Sequence, residues 1–335
     1  MAKKLFDFAI GNPPYQEDRQ GDSNTALPVY HEFMEAAYGI SDVVELITPA
    51  RFLFNAGRTP KAWNKKMLED EHFKVLTYEQ DAKRIFPNTE IKGGVAITYR
   101  DSEKKYEPIG TFTIHKELNS ILQKVRVPKD ESVASLAFVA TKFNTDNLFE
   151  DYPKYIGHER RMSSNVLGFD CFDEETVDDK IMIYGVIRSK RSKRYISKKY
   201  VDMSDKKIMM YKIVTPKADG NGTFGDTLTN PEILPPNSGF THTFLGIGGF
   251  RFQNEAENAL KYIKSKFCRT LLSVLKITQD LNADKWKYVP LQDFTPSSDI
   301  DWSKSVHEID LQLYRKYSLS VEEINFIETH VKEME

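Results

Sequence analysis

Near the start of the chain an apolar run, Phe6 to Ile10, meets Gly11-Asn12-Pro13-Pro14-Tyr15. The run reads as a short strand, and the prolines stop it, because neither can donate to a ladder and both fix φ. Any fold built on this chain must therefore present Asn12 just past a strand's carboxyl end. In open α/β sheets that edge is where ligands sit. The following residues agree with such a sheet. Pro28 opens a predicted helix with Val29, Phe33, Ala36, Ala37 and Ile40 on one face, and Gly39 marks its stop. Val43 to Ile47 reads as a second strand, and a helix with Trp63 and Met67 follows Thr59-Pro60. Phe73 to Tyr78 and Val95 to Tyr99 read as the third and fourth strands. Strands alternating with helices predict a mostly parallel sheet.

Beyond Lys104 the pattern changes to turn-rich sequence with short strands, Ile181 to Ile187 and Lys207 to Val214. Pro216 to Pro236, dense in Gly, Asn, Asp and Pro, reads as a long loop. Helical spacing returns at Ala256, Leu260, Ile263, Phe267, Leu271 and Val274, and Ser320 with Glu323 forms a capping box ahead of Ile324, Ile327 and Val331. The domain boundary is expected between about Arg100 and Pro128, dividing residues 1–115 from 116–335. Two domains also suit 335 residues, at roughly 100–200 residues each.

Composition excludes several classes. Apolar residues make up 40% and charged residues 29%, ordinary values for a soluble globular protein. No apolar run approaches the ~18 residues of a membrane span. The N-terminus lacks the apolar core of a signal peptide, so a cytoplasmic location is expected. Cys171 and Cys268 stand far apart, which excludes a disulfide framework and a cysteine-based zinc site. The seven histidines form no metal-ligand spacing, and no metal is expected.

The Asn-Pro-Pro-Tyr tetrapeptide suits one kind of chemistry. The exocyclic amine of adenine is a poor nucleophile, because its lone pair is delocalised into the ring. An enzyme that alkylates it must accept both amine hydrogens so that the nitrogen can become tetrahedral. The Asn12 side chain offers a neutral carbonyl acceptor, and the Pro13 backbone carbonyl can offer a second. Pro13 and Pro14 hold these acceptors in place before the base arrives. Tyr15 supplies a flat face on which an extruded base can stack.

Asn-Pro-Pro-Tyr after a hydrophobic strand resembles the catalytic motif of DNA amino-methyltransferases, in particular the type II and IIG adenine methyltransferases of restriction–modification systems. Leu27-Pro28-Val29-Tyr30-His31-Glu32-Phe33 is similar to the helix after that family's catalytic loop. Glu45 to Leu53 is similar to its next strand, and Ile85-Phe86-Pro87-Asn88 through Thr98 to the segment against the target base. Thr243 to Gly248, Glu255 to Asn258, Tyr262 to Phe267, Val289 to Phe294 and Leu313 to Ser320 resemble the family's closing region. By that resemblance Asn12 and Pro13 would hold the amine, Tyr15 would stack on the adenine, and Phe86 would cover the opposite side. The implied fold is α/β: a partial Rossmann-like methyltransferase sheet, second half only, followed by an α+β target-recognition domain.

The resemblance also marks a gap. The family binds its methyl donor, S-adenosylmethionine, on a Gly-rich turn after the first strand, with an acid after the second, and both precede the tetrapeptide. Here five residues precede the strand, and only four of the family's seven strands are recognisable. The strand carrying Asn12 should then be an exposed apolar edge. Phe244 to Phe250 superficially fits a Gly-rich turn, but no strand ending in an acid follows it. The expectation is a chain that binds the donor poorly and is inactive alone, its donor-binding half either truncated away or supplied by a second chain.

The expected partner is double-stranded DNA. Net charge is only −2, yet Lys180 to Lys212 holds eleven Lys/Arg against two acids, and Asp170 to Asp179 holds six acids and no base. Arg188, Lys190, Arg191, Lys193, Arg194, Lys198 and Lys199 crowd into thirteen residues and read as a phosphate-binding turn between strands, which Arg160, Arg161, Lys206 and Lys207 could extend. Two alternatives compete. A DNA-recognition subunit without catalysis would carry the same basic run. A metal-dependent nuclease would use Asp81, Glu90 and Lys92, residue types that arise readily at loose spacing in a highly charged chain.

Overall fold

A computed structural model describes the chain except residues 1–3, 18–26, 57, 88, 90, 92, 129, 159, 176–178, 219–223, 226, 277–279 and 335. It is a mixed α/β chain with three four-stranded sheets, divided into two units, Met1–Asn119 and Ser120–Glu335.

The first unit contains β1 (Phe6–Gly11), α1 (Tyr30–Ile40), β2 (Ser41–Pro49), α2 (Lys61–Glu69), β3 (Phe73–Glu79) and β4 (Val95–Asp101). The sheet order is β1-β2-β4-β3. β1 runs parallel to β2, Phe8 facing Val43 and Gly11 facing Leu46. The expectation of a mostly parallel sheet is corrected here: β4 is antiparallel to both β2 and β3, between which it lies. The connection agrees with the reversal: residues 80–94 join β3 to β4, and among those described the helical element is the short 3-10 turn Ala82–Arg84, not the crossover α-helix that a parallel return usually uses.

One face of this sheet is covered. Tyr30, Met34 and Tyr38 of α1 join Trp63, Met67 and Leu68 of α2 over Val44, Leu46, Phe73 and Ala96. Phe52, Phe73 and Met34 are fully buried, and each contributes about 1.5–3 kcal/mol. The buried stripe of α1 is not the one read from the sequence, since Phe33, Ala36 and Ile40 are exposed. Two apolar stripes compete on this helix. The tyrosine–methionine stripe, spaced four apart, carries more surface to bury, and its phenol rings tolerate a wet tip. On the opposite sheet face, Phe6, Phe8 and Ile10 of β1 are 56%, 67% and 79% exposed. The outer edge of β1 pairs with no strand among the described residues.

After α3 (Lys116–Val125), the second unit holds β5 (Ala137–Phe138), α4 (Thr145–Asp151), β6 (Phe172–Asp173), β7 (Lys180–Ile187), β8 (Lys190–Ser197), β9 (Tyr211–Pro216), β10 (Glu232–Leu234), β11 (Ser238–Phe240) and β12 (Phe244–Phe250). Four helices follow, α5 (Gln253–Lys264), α6 (Lys266–Ser273), α7 (Val306–Lys316) and α8 (Val321–His330). One sheet is antiparallel, β10-β9-β12-β5; the other, β11-β7-β8-β6, is mixed. β7 is covered on both faces, by Ile181 and Ile183 in one cluster and Tyr184 with Met182 in another. The expected strand Lys207 to Val214 begins later, at Tyr211, because Asp205 caps a 3-10 turn over Lys206–Met209. The expected loop from Pro216 to Pro236 contains β10, and several of its residues lie outside those described.

Candidate active site and nucleic-acid interface

Pairing between β1 and β2 ends at Gly11, and the next three residues turn the chain away from the sheet. Asn12 and Pro14 are exposed, Pro13 and Tyr15 half-buried. A small antiparallel pin closes the excursion: Val29 N–H donates to the Tyr15 carbonyl at 3.2 Å, Gln16 bridges Pro28, and Glu17 N–H donates to the Leu27 carbonyl at 3.0 Å. The tetrapeptide is thus clamped at both ends, while the Asn12 side chain makes no hydrogen bond among the described residues.

Tyr15 packs on the core below α1, and its ring meets Phe86 edge-on, centroids 6.4 Å apart at 74°. The structure thereby brings together the two aromatics singled out for the target base. Phe86 is held in a turn, its N–H donating to the Ala82 carbonyl at 2.8 Å. The Tyr15 hydroxyl is buried without a partner, and burial pushes it up to about 12. Two more buried polar atoms without partners, the Thr48 hydroxyl and His31 Nδ1, lie near the carboxyl end of β2 and at the start of α1. Such atoms accompany unfilled polar sites. Neither residue was singled out from the sequence, because only the fold carries them to this edge of the sheet. A cleft of about 590 Å3 opens beyond β3, lined by Tyr78, Gln80, Asp81, Lys83, Arg84 and Gly93, and takes in neither Asn12 nor Tyr15.

The glycines of Phe244 to Phe250 do not form a donor-binding turn. They lie in β12, where a Cβ on Gly246 would stand 2.6 Å from the Phe138 and Phe240 rings. A Cβ on Gly248 would stand 2.1 Å from the Phe250 ring. Side chains of the protein fill the space that a ligand would need, so these residues do not fit the donor. In the nuclease reading, the Asp81 carboxylate instead accepts the Lys83 N–H, and Glu90 and Lys92 lie outside the described residues. Among the described residues no group of three or more His, Cys, Asp or Glu could hold a metal ion. None of the described helices is long and apolar enough to cross a membrane.

The basic run folds into the β7–β8 hairpin and the 3-10 turn Lys198–Tyr200. Four of its seven cations are engaged internally. Arg194 pairs with Glu174 at 2.7 Å, Lys199 with Asp151 at 2.6 Å, Lys198 with Asp179 at 3.7 Å, and Arg191 with Glu232. Arg191 also donates to the carbonyls of Asn230, at 2.7 Å, and Thr229. Among the described residues Arg188, Lys190 and Lys193 form no ion pair; Lys193 lies within electrostatic range of Glu232. Of the possible extensions, Arg161 bridges Lys142, and Lys207 lies over the Phe138 ring. Lys212 is no surface charge at all. It is buried, its ammonium donating to the Ser238 carbonyl at 2.9 Å and hydroxyl at 3.0 Å, and burial pulls it down to about 8.

Residues 1–86 match the family of Eco57I restriction-modification methylases. This segment is similar to adenine-specific methylases of restriction–modification systems. An uncharacterised adenine-specific methylase of Mycoplasma pneumoniae (strain ATCC 29342 / M129 / Subtype 1) is 31% identical over 93 residues, which are 27% of this chain and 22% of that protein. The chain therefore spans well under two thirds of that relative. Among solved structures, the type IIG restriction endonuclease BpuSI superposes with a TM-score of 0.29 at 10% identity, covering 85% of this chain and 44% of that one. The type IIL restriction-modification enzyme MmeI, in complex with DNA, gives 0.35 at 10% identity, covering 96% and 56%. Scores this low leave the topology to be read from the chain itself. The Eco57I-like match holds β1 with its tetrapeptide, both helices of the first unit, and Phe86.

Proposed function

We propose that the chain is part of a DNA adenine methyltransferase of a restriction–modification system, transferring a methyl group from S-adenosylmethionine to the exocyclic amine of a flipped-out adenine. The observation that carries this reading is the Asn12 side chain, exposed and unengaged at the carboxyl end of β1 on a loop clamped by Pro13, Pro14 and the Tyr15–Val29 hydrogen bond. Asn12 and the Pro13 carbonyl accept the amine hydrogens, and Tyr15 and Phe86 bracket the ring once they part. In the structure these two rings touch, so base entry requires Phe86 or Tyr15 to move.

The donor is held by a segment other than the described residues. Support comes from β1, whose open edge and exposed Phe6, Phe8 and Ile10 suit a complementary half packed alongside. On this reading residues 1–115 are the base-side catalytic half and residues 116–335 recognise the DNA target. The chain alone binds donor weakly, and a complementary half restores transfer.

The test is co-expression with a donor-binding half in a host lacking its own adenine methylation, reading N6-methyladenine by mass spectrometry. Removing a preorganised acceptor costs about 10²–10³-fold in rate, so Asn12→Ala should lower methylation by that factor. Unchanged methylation with Asn12→Ala would remove the catalytic assignment and favour a recognition subunit.

A further inference from the structure

Near its tip the β7–β8 hairpin pairs with no third strand among the described residues, while Val186 and Ile187 pack on the two cores and Arg191 is tied to Thr229, Asn230 and Glu232. β11 pairs only with Met182 to Tyr184, and β6 only with Tyr195 and Ile196. The last three rungs, Gly185 with Ser192, Val186 with Arg191 and Ile187 with Lys190, form a two-stranded ribbon that turns at Arg188 and Ser189. Both turn residues hold left-handed backbone, φ 48° and 64°. Two-residue hairpin turns of this hand favour Asn and Gly, and Arg or Ser there is strained. Among the described residues they are the only adjacent non-glycine pair with positive φ. A local strain is therefore retained where it places an exposed guanidinium at the apex.

Lys190 and Lys193 are three apart on one strand and so project from opposite faces of the ribbon. Both are exposed, and among the described residues neither they nor Arg188 forms an ion pair, whereas the neighbouring Arg191 and Arg194 are engaged by Glu232 and Glu174. Exposed cations on both sides of the hairpin end and at its apex match a surface lined with backbone phosphates.

We infer that the exposed tip of β7–β8 is the duplex-DNA contact of the second unit, with Arg188, Lys190 and Lys193 on backbone phosphates. This rests on the proposed DNA substrate and narrows its contact from seven basic residues to three.

The test measures binding of the chain to a short random-sequence duplex across a salt series. Each neutralised phosphate contributes about 0.9 to the slope of log K against log salt, so replacing Arg188, Lys190 and Lys193 by Ala should lower the slope by about 2–3 and weaken binding on the order of a hundredfold at 0.1 M salt. Replacing Lys65, Lys287 and Lys304 by Gln removes the same net charge elsewhere and should change the slope by less than one. A second variant guards against misfolding. Arg188→Asn with Ser189→Gly relieves the turn, so its melting temperature should hold or rise while the slope drops by about one. Wild-type binding retained by both tip variants overturns the inference and leaves the DNA reading standing. No salt-dependent duplex binding by the wild-type chain overturns both, and equal loss in the two triple variants overturns the inference about the hairpin tip alone.

Discussion

The Tyr15 hydroxyl sits in the first unit with no hydrogen-bond partner, while the ring beneath it does the packing. Removing a buried, unsatisfied hydroxyl relieves desolvation, so Tyr15→Phe should leave stability unchanged or raise it by up to ~1 kcal/mol in denaturant titration. Methylation by the reconstituted enzyme should survive, because a phenyl ring still stacks. Destabilisation by more than ~1 kcal/mol would mean that the hydroxyl has a partner in solution. Tyr15→Ala should instead cost several kcal/mol and most of the activity. The tetrapeptide was legible in the sequence because its meaning is local: an apolar run, two prolines, and an acceptor between them. Its encounter with Phe86, 71 residues on, was reached only through the family resemblance. The internal pairing of Arg191, Arg194 and Lys199 was not legible, since their carboxylate partners lie 41, 20 and 48 positions away and are chosen by the packing of separate elements.

A break that helical periodicity concealed lies between α5 and α6. One continuous apolar stripe from Ala256 to Val274 suggested one helix, but Ser265 ends the first and caps the second, its hydroxyl accepting the Cys268 N–H at 3.1 Å. The two remaining leading N–H groups, of Lys266 and Phe267, donate to the Asp310 carboxylate of α7 at 3.0 and 2.8 Å. A tertiary cap of this kind has no signature in local sequence, whereas the Ser320–Glu323 capping box of α8 was readable and is present. Burial pushes the Asp310 carboxyl up to about 6, against the two N–H donors and Arg269, with Glu328 adding to the rise. A folded-state value above the unfolded one gives stability that is full below about pH 4 and is lost as pH rises through about 6. The stability of Asp310→Asn relative to wild type should therefore grow by on the order of 2–3 kcal/mol between pH 4 and pH 7.5, read from thermal melts of both proteins. A flat difference would place Asp310 in a wetter site.

Across the whole first unit, the largest departure from a finished sheet is β1, apolar outside and unpaired on one side. Such an edge pairs with whatever strand it meets. Without a complementary half, the chain should self-associate as concentration rises, and Phe8→Lys should suppress this in light scattering while changing stability by no more than about 0.5 kcal/mol. Equal association of the two proteins would show that β1 is not the sticky surface. Strand positions were well placed by the sequence, but the direction of β4 was not, because apolar patterning reports which residues are buried and says nothing about sense. That reversal has a consequence for how the domain comes into being. β2 and β3 never touch as neighbours; among the described residues β3 is joined to the sheet only through β4, the last of the four to leave the ribosome, which also pairs with β2 on the side away from β1. The match to the family model stops at residue 86, before β4 begins at Val95. The stretch that the family model covers is thus shorter than the sheet, and a gene cut at residue 86 would leave its two central seams unsewn.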